Sequence, residues 1–586
     1  MVIEPSLDSI IIYSPPLQKW LYFQDPLKVI VINQLEDLLA ALNEIEHQVS
    51  HLNRFAAGFL SYEAAPIFDP ALKIKRSDES GLPMLWFGIY PQPTQITLSH
   101  PGLEGELSTG HWNPDILKSD YVQAIHRIKD YISLGETYQV NYTYRLQSQF
   151  TTPAWPFFVT LAKAHSAPYS AFLETESWAV CSFSPELFFT LQDDVLISRP
   201  MKGTASRGRM LEDDQKQANW LLHSKKNRAE NVMIVDMVRN DLGRIARVGS
   251  VRVPELFKVE KYPTVWQMVS TVEANTKANL VEIFRALFPA ASITGAPKIR
   301  TMELISELEV NPRSLYTGTV GFYAPGRIAQ FNVAIRTLLV NKIQKQAEYG
   351  VGGGIVWDSK PSSEWEETRT KARVLSEPPE PFDLMETILW NPEGGWFLLE
   401  YHLERLRASS SYFSFPLDLP GIQHKLSEAV EKFSDQPQRV RLLLSKDGQV
   451  SLQSQPISTE PYPTRVGIAL SPVSSKDRFL FHKTTRRGVY RKALAECPDF
   501  QEVILWNERG QATEATIANL IFEINGQLYT PPVSAGLLPG THRRWLLEQK
   551  KVIEKNISID ELKSCKRLFL VNSVKGMWEI DVASSS

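Results

Sequence analysis

Arg199-Pro200-Met201-Lys202-Gly203-Thr204 is the stretch on which the reading of this chain turns. A lysine sits between a proline and a glycine, with Arg199 before it and Arg207 just after. The preceding Val195-Leu196-Ile197 reads as a strand that Pro200 stops, and Gly203 gives the backbone room to approach a ligand. Neighbouring positive charge and burial both favour neutral lysine, the nucleophilic form. On local composition alone the stretch is a solvated basic turn. Its company along the chain argues instead for a reactive amine.

The bulk numbers set the frame. The chain has 586 residues, a length that fits roughly three to four domain-sized units or two large ones. Hydrophobic residues make up 43% and charged residues 22%, which is globular composition with ample core. A net charge of -3 implies no polyanionic partner and so no nucleic acid. There is no long apolar run and no basic-then-apolar amino terminus, so the expectation is a cytoplasmic protein without a membrane partner. Cys181, Cys497 and Cys565 lie far apart, form no metal pattern and fit a reducing compartment.

Patterning outside the lysine stretch predicts α+β structure throughout. Residues 1–110 mix strands and helices without a catalytic signature. Tyr121, Ile125, Ile128 and Ile132 are at helical spacing, and Tyr138–Leu146 alternates like a strand. A helical pattern runs over Asp213–Ala246, with Gly243 as a candidate end. Thr294-Gly295-Ala296-Pro297-Lys298 reads as a turn opening a helix, and strands are expected at Gly318–Tyr323 and Val333–Leu339. Ser362–Leu375 reads as a helix in which Ser363 and Glu366 fit a capping box. Pro378, Pro379 and Pro381 then end any helix, which divides the chain into residues 1–376 (core 115–376), a linker at 377–381 and a second unit at 382–586.

Glu364 and Glu367 are three apart and share a helix face, and Glu230 opens another helix. Such carboxylates suit Mg²⁺, which takes one or two from protein and fills the rest with substrate oxygens and water, although acidic residues also favour helix starts for their own sake. Gly352-Gly353-Gly354 brings backbone amides within reach of a carboxylate ligand, or is a plain bulge or tight turn.

With these stand further segments: Ser182-Phe183-Ser184-Pro185-Glu186, Arg228-Ala229-Glu230-Asn231, Met237 to Arg244, Ile293 to Lys298, and Ala334-Ile335-Arg336-Thr337. In this order they resemble the chorismate-binding enzymes: anthranilate synthase large subunit, isochorismate synthase and aminodeoxychorismate synthase. Gly58 to Ala64 is similar to the last branch, and so is lysine at position 202, where anthranilate synthase-like members carry alanine. The resemblance implies large sheets packed with helices. It also implies that Lys202 attacks C2 of chorismate while the 4-hydroxyl leaves, that Glu186 protonates that hydroxyl, and that ammonia then enters at C4. It assigns Mg²⁺ to Glu230 and Glu367 with Glu364 beside them, a substrate carboxylate to Arg336, and the substrate-lining turn to Thr294 and Gly295. Gln267 stands where many members have histidine; it can hydrogen-bond but cannot titrate. No cysteine sits on a tight glycine-flanked turn, so ammonia is expected from a separate class I glutamine amidotransferase subunit.

The second unit carries Asp383 to Thr387, His402 to Leu406, His482-Lys483-Thr484, Thr513 to Leu520, Leu538-Pro539-Gly540-Thr541 and Asn572-Ser573. This set resembles the fold-type-IV pyridoxal 5'-phosphate enzymes, which have two subdomains. The resemblance implies a Schiff-base lysine at Lys483, which also serves as base, and Glu514 on the pyridine nitrogen. It gives the phosphate to Arg405 with backbone amides near Ile517, Gly540 and Thr541. A homodimer through this unit is part of the expectation. Family members usually begin with an additional strand, which the proline linker replaces here.

The two resemblances meet in one expectation, a fused aminodeoxychorismate synthase and lyase making 4-aminobenzoate. Two alternatives stay open: an anthranilate synthase-like or aminodeoxychorismate synthase front joined to an amino-acid aminotransferase, and an inert dimerisation or docking module behind.

Overall fold

The structure, a computed structural model, describes residues 4–75, 82–98, 110–165, 167–376, 380–457 and 463–583. It divides into two units: Met1–Ala205 with Trp220–Pro379, and Ser206–Asn219 with Glu380–Ser586. Of the linker expected at 377–381, residues 377–379 lie outside the described residues.

The first unit is built on two ten-stranded sheets, each a path of nine strands with one more at its side: Asn113–Pro114 on Gln139–Gln149 in one, Arg252–Lys261 on Val265–Asn275 in the other. One runs in the order Gly295–Ala296, Gln139–Gln149, Gln346–Ile355, Thr337–Asn341, Trp178–Ser184, Tyr169–Glu174, Ser9–Ser14, Lys19–Phe23, Thr94–Ile96. The other runs Met201–Ser206, Val265–Asn275, Val195–Arg199, Leu187–Gln192, Ile328–Asn332, Thr319–Ala324, Phe55–Leu60, Leu85–Tyr90, Lys28–Ile32. Alternation along the strands makes three cores. Ile10 and Ile12 meet Ala57, Phe59 and Phe322 between the sheets. Ile11 points the other way, into a core shared with Tyr121, Ile125 and Ile128 of the helix Lys118–Ser133. On the far side of the second sheet, Ile45, Ile234 and Phe284 from three helices cover Leu60, Phe189 and Phe331. Helix, sheet, sheet and helix are thus stacked, and each fully buried Leu, Ile or Phe contributes roughly 1.5–3 kcal/mol.

Of the connections that cross from sheet to sheet, two matter most for the chemistry. Ser184-Pro185-Glu186 leads from Trp178–Ser184 in the first sheet to Leu187–Gln192 in the second. Residues 333–336 return from Ile328–Asn332 to Thr337–Asn341. The single strand expected at Val333–Leu339 is therefore a crossing followed by a strand. The crossings are tied together: Val333 N donates to Glu186 O at 3.1 Å, and Ser184 Oγ donates to Val333 O at 2.6 Å.

Other expectations also shift. The helical span 213–246 is two helices, Leu211–His223 and Lys225–Gly243, and the second is capped by Ser224, whose hydroxyl accepts from Asn227 N. The Ser363–Glu366 capping box does not form, because the helix Pro361–Ser376 starts two residues earlier and contains both. Pro200 does not end strand structure: a new strand, Met201–Ser206, follows at once and carries Lys202.

The second unit has a four-stranded sheet, Gly395–Trp396, Leu384–Asn391, Gln438–Leu444 and Val450–Pro456. Helices Leu399–Phe413 and Leu419–Val430 cover one face of it through Leu403, Leu406, Ile422 and Leu426. An eight-stranded sheet makes the other subdomain. Its strand Ala512–Ala515 pairs with both Val503–Trp506 and Asn519–Ile524, which closes part of the sheet into a ring around Val466, Ile504, Leu520 and Leu570. Residues 206–219 group here and not with the first unit. Arg207 forks onto Asp214 at 2.6 and 2.7 Å, Tyr412 Oη donates to Gly208 O at 2.6 Å, and His482 Nε2 lies 3.0 Å from Arg209 O.

Candidate active sites

In the first unit Lys202 sits on the terminal strand of the second sheet, paired to Val265–Asn275. Gly203 has φ +101, a conformation that favours glycine. The backbone beside Lys202 is pinned by Asn231, whose Nδ2 donates to Lys202 O at 3.1 Å while Ser270 Oγ donates to Asn231 Oδ1 at 2.6 Å. Gln267 accepts from Thr204 Oγ1 at 3.0 Å, so the position usually taken by histidine supports the lysine strand. The amine itself lies against Gly354, where a Cβ would collide with Lys202 Nζ. Burial lowers the Lys202 pKa below the lysine range; Glu230 opposes this, Lys371 adds to it, and Glu186 and Glu367 oppose it. The structure thus brings Lys202, Glu186, Glu230 and Glu367 into one electrostatic neighbourhood.

Glu186 is buried on its crossing. Burial pushes its carboxyl up to about 7, against lowering by Ser292, the Met201 amide and Lys202. A carboxylic acid poised near neutral pH is suited to giving up a proton. Arg336 lies on the neighbouring crossing, where Phe183 N donates to its carbonyl at 3.0 Å. Its φ of +51 is rare for a residue with a side chain and marks a constrained position.

The glycine run is neither a bulge nor a turn. Gly352, Gly353 and Gly354 pair in register with Thr143, Tyr142 and Asn141. On the other side the pairing with Thr337–Asn341 stops at Tyr349, so this end of the strand has one open edge. The three glycines differ. A Cβ on Gly352 would strike Tyr142 O, one on Gly353 would lie 3.2 Å from Glu364 Oε2, and only Gly354 abuts the amine. Gly295 has φ +148 and a Cβ there would strike Gln139 O, so it serves close strand approach. Thr294 is fully buried and its hydroxyl proton is shared between Ala290 O and Ala291 O.

The carboxylates expected to hold metal are not assembled as a ligand set. Among the described residues no group of three or more His, Cys, Asp or Glu is arranged to hold a metal ion. Glu367 instead takes Lys371 Nζ at 2.9 Å, and the same amine donates to Gly352 O at 2.8 Å. Burial raises the Glu364 pKa; Ser359 lowers it and the Glu367 charge raises it again. The donor chemistry, hard carboxylate oxygens, suits Mg²⁺ binding through one or two of them.

In the second unit Lys483, Arg405, Glu514, Ile517, Gly540 and Thr541 all line one cavity of about 320 Å³. Lys483 follows the short helix Arg478–Phe481, and its carbonyl accepts from Met385 N at 2.9 Å. Burial, with Arg405 next, lowers its pKa to about 8. Arg405 is clamped by Glu386, with Nε to Oε1 at 2.9 Å and Nη2 to Oε2 at 2.6 Å, and His402 Nδ1 meets the same carboxylate at 2.6 Å. Burial would raise the Glu386 carboxyl; the Arg405 charge and the His402 contact outweigh it and hold it at about 2. This fixes one guanidinium beside the amino terminus of the helix Thr541–Glu548, where backbone amides face outward. Glu514 is buried opposite. Tyr490 Oη and Asn519 Nδ2 donate to its two oxygens, and burial pushes the carboxyl up to about 8. A basic clamp, an amine and a buried carboxyl around one cavity fit the phosphate, aldehyde and pyridine nitrogen of pyridoxal phosphate.

Several of these residues escape sequence reasoning: Ser292, Lys371, Glu386, His402, Tyr490, and the cavity-lining Arg439, Arg441 and Arg487. Only Glu386 and His402 lie in motifs that sequence singles out.

Residues 8–377 match the family model described as chorismate binding enzyme, and residues 383–582 match amino-transferase class IV. Aminodeoxychorismate synthase component 1 of Bacillus subtilis is 41% identical over 270 residues, 46% of this chain and 57% of that protein. The Escherichia coli protein of the same name is 41% identical over 272 residues, 46% of this chain and 60% of that protein. The chain therefore spans 57% to 60% of the length of these curated relatives. Anthranilate synthase component I from Streptococcus pneumoniae shares the fold, with a TM-score of 0.55 at 23% identity over 64% of this chain and 94% of that one. The chorismate-binding match takes in more than half of the sequence, and with two crossing-strand sheets around Lys202 and a class IV segment behind them this protein belongs to the chorismate binding enzyme family.

Proposed function

We propose that the chain makes 4-aminobenzoate in two steps, from chorismate and ammonia through 4-amino-4-deoxychorismate. The observation that carries the reading is Lys202: its amine has a lowered pKa and lies within the charge neighbourhood of Glu186, a carboxylic acid poised near neutral pH. Lys202 attacks C2 of chorismate, the ring double bonds shift, and the C4 hydroxyl departs with a proton from Glu186. Ammonia attacks C4, the double bonds shift back, and the C2–nitrogen bond to Lys202 breaks. Dividing the substitution this way replaces one high barrier by two lower ones. Arg336 takes a substrate carboxylate, and the open strand edge at Gly353 and Gly354 lines the site. Glu230 and Glu367, with Glu364 beside them, would hold Mg²⁺, which would neutralise substrate carboxylate charge.

The second step eliminates pyruvate. Lys483, Arg405, Glu514, Ile517, Gly540 and Thr541 would hold pyridoxal 5'-phosphate, which supplies an electron sink when bound. Lys483 takes the proton from the carbon that bears the amine. Glu514 keeps the ring nitrogen protonated, and Tyr490 and Asn519 orient that carboxylate. Loss of the proton and of pyruvate makes the substrate ring aromatic.

Ammonia comes from a separate glutamine amidotransferase, in keeping with the name component 1 of the relatives. Burial raises the Cys181 and Cys565 thiols, which disfavours a thiolate nucleophile. Among the described residues no helix is long and apolar enough to cross a membrane, and we place the enzyme in the cytoplasm as a homodimer through its second module. The test is purified chain with chorismate, Mg²⁺, ammonium and pyridoxal phosphate, with products identified by mass. 4-Aminobenzoate and pyruvate are expected. Anthranilate would overturn the first step, and a requirement for 2-oxoglutarate would make the second module an aminotransferase.

A further inference from the structure

By sequence, residues 206–219 lie inside the chorismate-binding match; by contact they belong to the second unit. The strand that carries Lys202 ends at Ser206, and the chain after it folds into a tight clip. Arg207 forks onto Asp214, and Gly208 N donates to the same carboxylate at 2.9 Å. The clip is fastened to the helix Leu399–Phe413. Arg207 Nη2 donates to Tyr412 O at 2.8 Å, its guanidinium stacks over the Tyr412 ring at 4.4 Å, and Tyr412 Oη donates to Gly208 O. The next residue, Arg209, lies over the Phe481 ring at 5.1 Å and presents its carbonyl to His482.

His482 directly precedes Lys483 in extended backbone, with φ -127 and ψ 132. Successive side chains of an extended segment point to opposite sides. Lys483 faces the cavity, and His482 turns away from it, beside Tyr412 and Phe413, whose rings are 4.5 and 4.7 Å from its own. The imidazole is buried with two partners: Nδ1 lies 2.9 Å from Ser409 Oγ and Nε2 lies 3.0 Å from Arg209 O. A carbonyl only accepts, so Nε2 carries the proton. Burial keeps the ring neutral, with its pKa lowered to about 3, so Nδ1 accepts from the Ser409 hydroxyl. One tautomer satisfies both contacts. On the other side of Lys483 the chain is held by a different element: Lys483 O accepts from Met385 N at 2.9 Å, and Thr485 N donates to Asp383 O at 3.0 Å.

We propose that the clip 207–214 is a working part of the second site: it fixes His482, and His482 is a positioning residue that sets where the amine of Lys483 stands in the cavity. The second activity thus depends on a segment that the family match gives to the first. The inference rests on the reading of Lys483 as the cofactor lysine.

The experiment uses the full-length chain and the variants H482Q, H482L and G208A. Glutamine keeps an N–H that can reach Arg209 O, whereas leucine keeps bulk and no polar atom. In G208A the added Cβ collides with the backbone of Asp213 and Asp214 and displaces the clip from its own side. Affinity of the stripped protein for pyridoxal phosphate is titrated through the absorbance of the bound cofactor. Then kcat and KM for 4-amino-4-deoxychorismate are measured on cofactor-saturated protein. H482L and G208A should each weaken the cofactor by about 10-fold, the scale of one buried hydrogen bond left unmade. They should lower kcat by about 10- to 100-fold, the cost of small misplacement at a reacting centre, while KM holds. H482Q should recover most of both losses. Parental affinity and kcat in G208A overturn the assignment, whether or not H482L folds, and so does a loss in H482Q as large as that in H482L. A parent protein that formed no cofactor band would instead overturn the role of Lys483. A parent that held cofactor but released no pyruvate would overturn the proposed second step, with the clip still decided by the affinities.

Discussion

Tyr490 donates its phenolic hydroxyl to Glu514 Oε1 at 2.8 Å, deep in the second unit. Asn519 holds the other oxygen at 3.2 Å, and burial still pushes the carboxyl from its ordinary 4.5 up to about 8. The folded protein stripped of cofactor therefore keeps a proton on Glu514 that the unfolded chain loses near 4.5. The stability from this group is complete below that value and is lost as pH rises through about 8. Relative to Glu514→Gln, the apoprotein should melt progressively lower between about pH 5 and about pH 8.5. Parallel melting curves across that range would show that Glu514 does not titrate there.

Glu186 titrates in the opposite functional sense. Its burial puts the carboxyl at about 7, and the proposed first step uses it as an acid. With the concentration of neutral ammonia held constant, kcat/KM for chorismate should fall as pH rises through that value. Glu186→Gln should remove this limb and lower the rate by about 10²- to 10⁴-fold, the usual worth of a positioned acid. A variant that retained the same pH limb would move the proton donor elsewhere.

What was legible in the sequence, and what was not, divides along contact range. Lys202, its glycine neighbour and Lys483 occur in short ordered motifs, and the alternation around Gln139–Gln149 gives its strand directly. Thr294 shared such a motif but spends its hydroxyl on Ala290 and Ala291, a local hydrogen-bonding choice no motif records. Glu364 and Glu367 are visible as one helix face; that Lys371 neutralises Glu367 depends on side-chain direction. Tyr490 is reached from Glu514 only by folding the helix Gly488–Ala495 against the strand Ala512–Ala515. The grouping of residues 206–219 with the second unit rests on Tyr412 and His482, which lie 204 and 273 positions along the sequence from the carbonyls of Gly208 and Arg209 that they meet. One signal was overlooked: Arg439-Val440-Arg441-Leu442 alternates charge with apolar residues, and a strand so patterned has a charged face.

Gly354 gives a sharper probe of the first site than any charged residue. A Cβ there would collide with Lys202 Nζ and with Gln139 Nε2, at 2.8 Å from the latter, while the strand pairing to Asn141 fixes the backbone. Gly354→Ala should displace the amine and lower chorismate turnover by about 100-fold, the cost of small misplacement at a reacting centre. Conversion of supplied 4-amino-4-deoxychorismate should be unchanged. Full chorismate activity in this variant would mean that the amine does not need its present position.

The two lysines should act as independent switches, because the proposed steps give them different covalent work in different units. Lys202→Ala removes the nucleophile while Glu230, Glu367 and Arg336 remain, so residual turnover should shift towards anthranilate- or isochorismate-like products and the cofactor band should be intact. Lys483→Ala should abolish the band of covalently held cofactor, leave the first reaction running and let 4-amino-4-deoxychorismate accumulate. Loss of a covalent nucleophile costs about 10³-fold or more, so the two phenotypes should be distinct rather than graded. Equal amounts of the two variants, mixed, should restore 4-aminobenzoate, since each supplies the step the other lacks and the intermediate is a free small molecule. Chromatography with mass detection reads all three reactions. If Lys483→Ala alone still forms 4-aminobenzoate at the parental rate, the second module is not the lyase. If the mixture fails although each surviving activity is measured, the intermediate does not pass through solution.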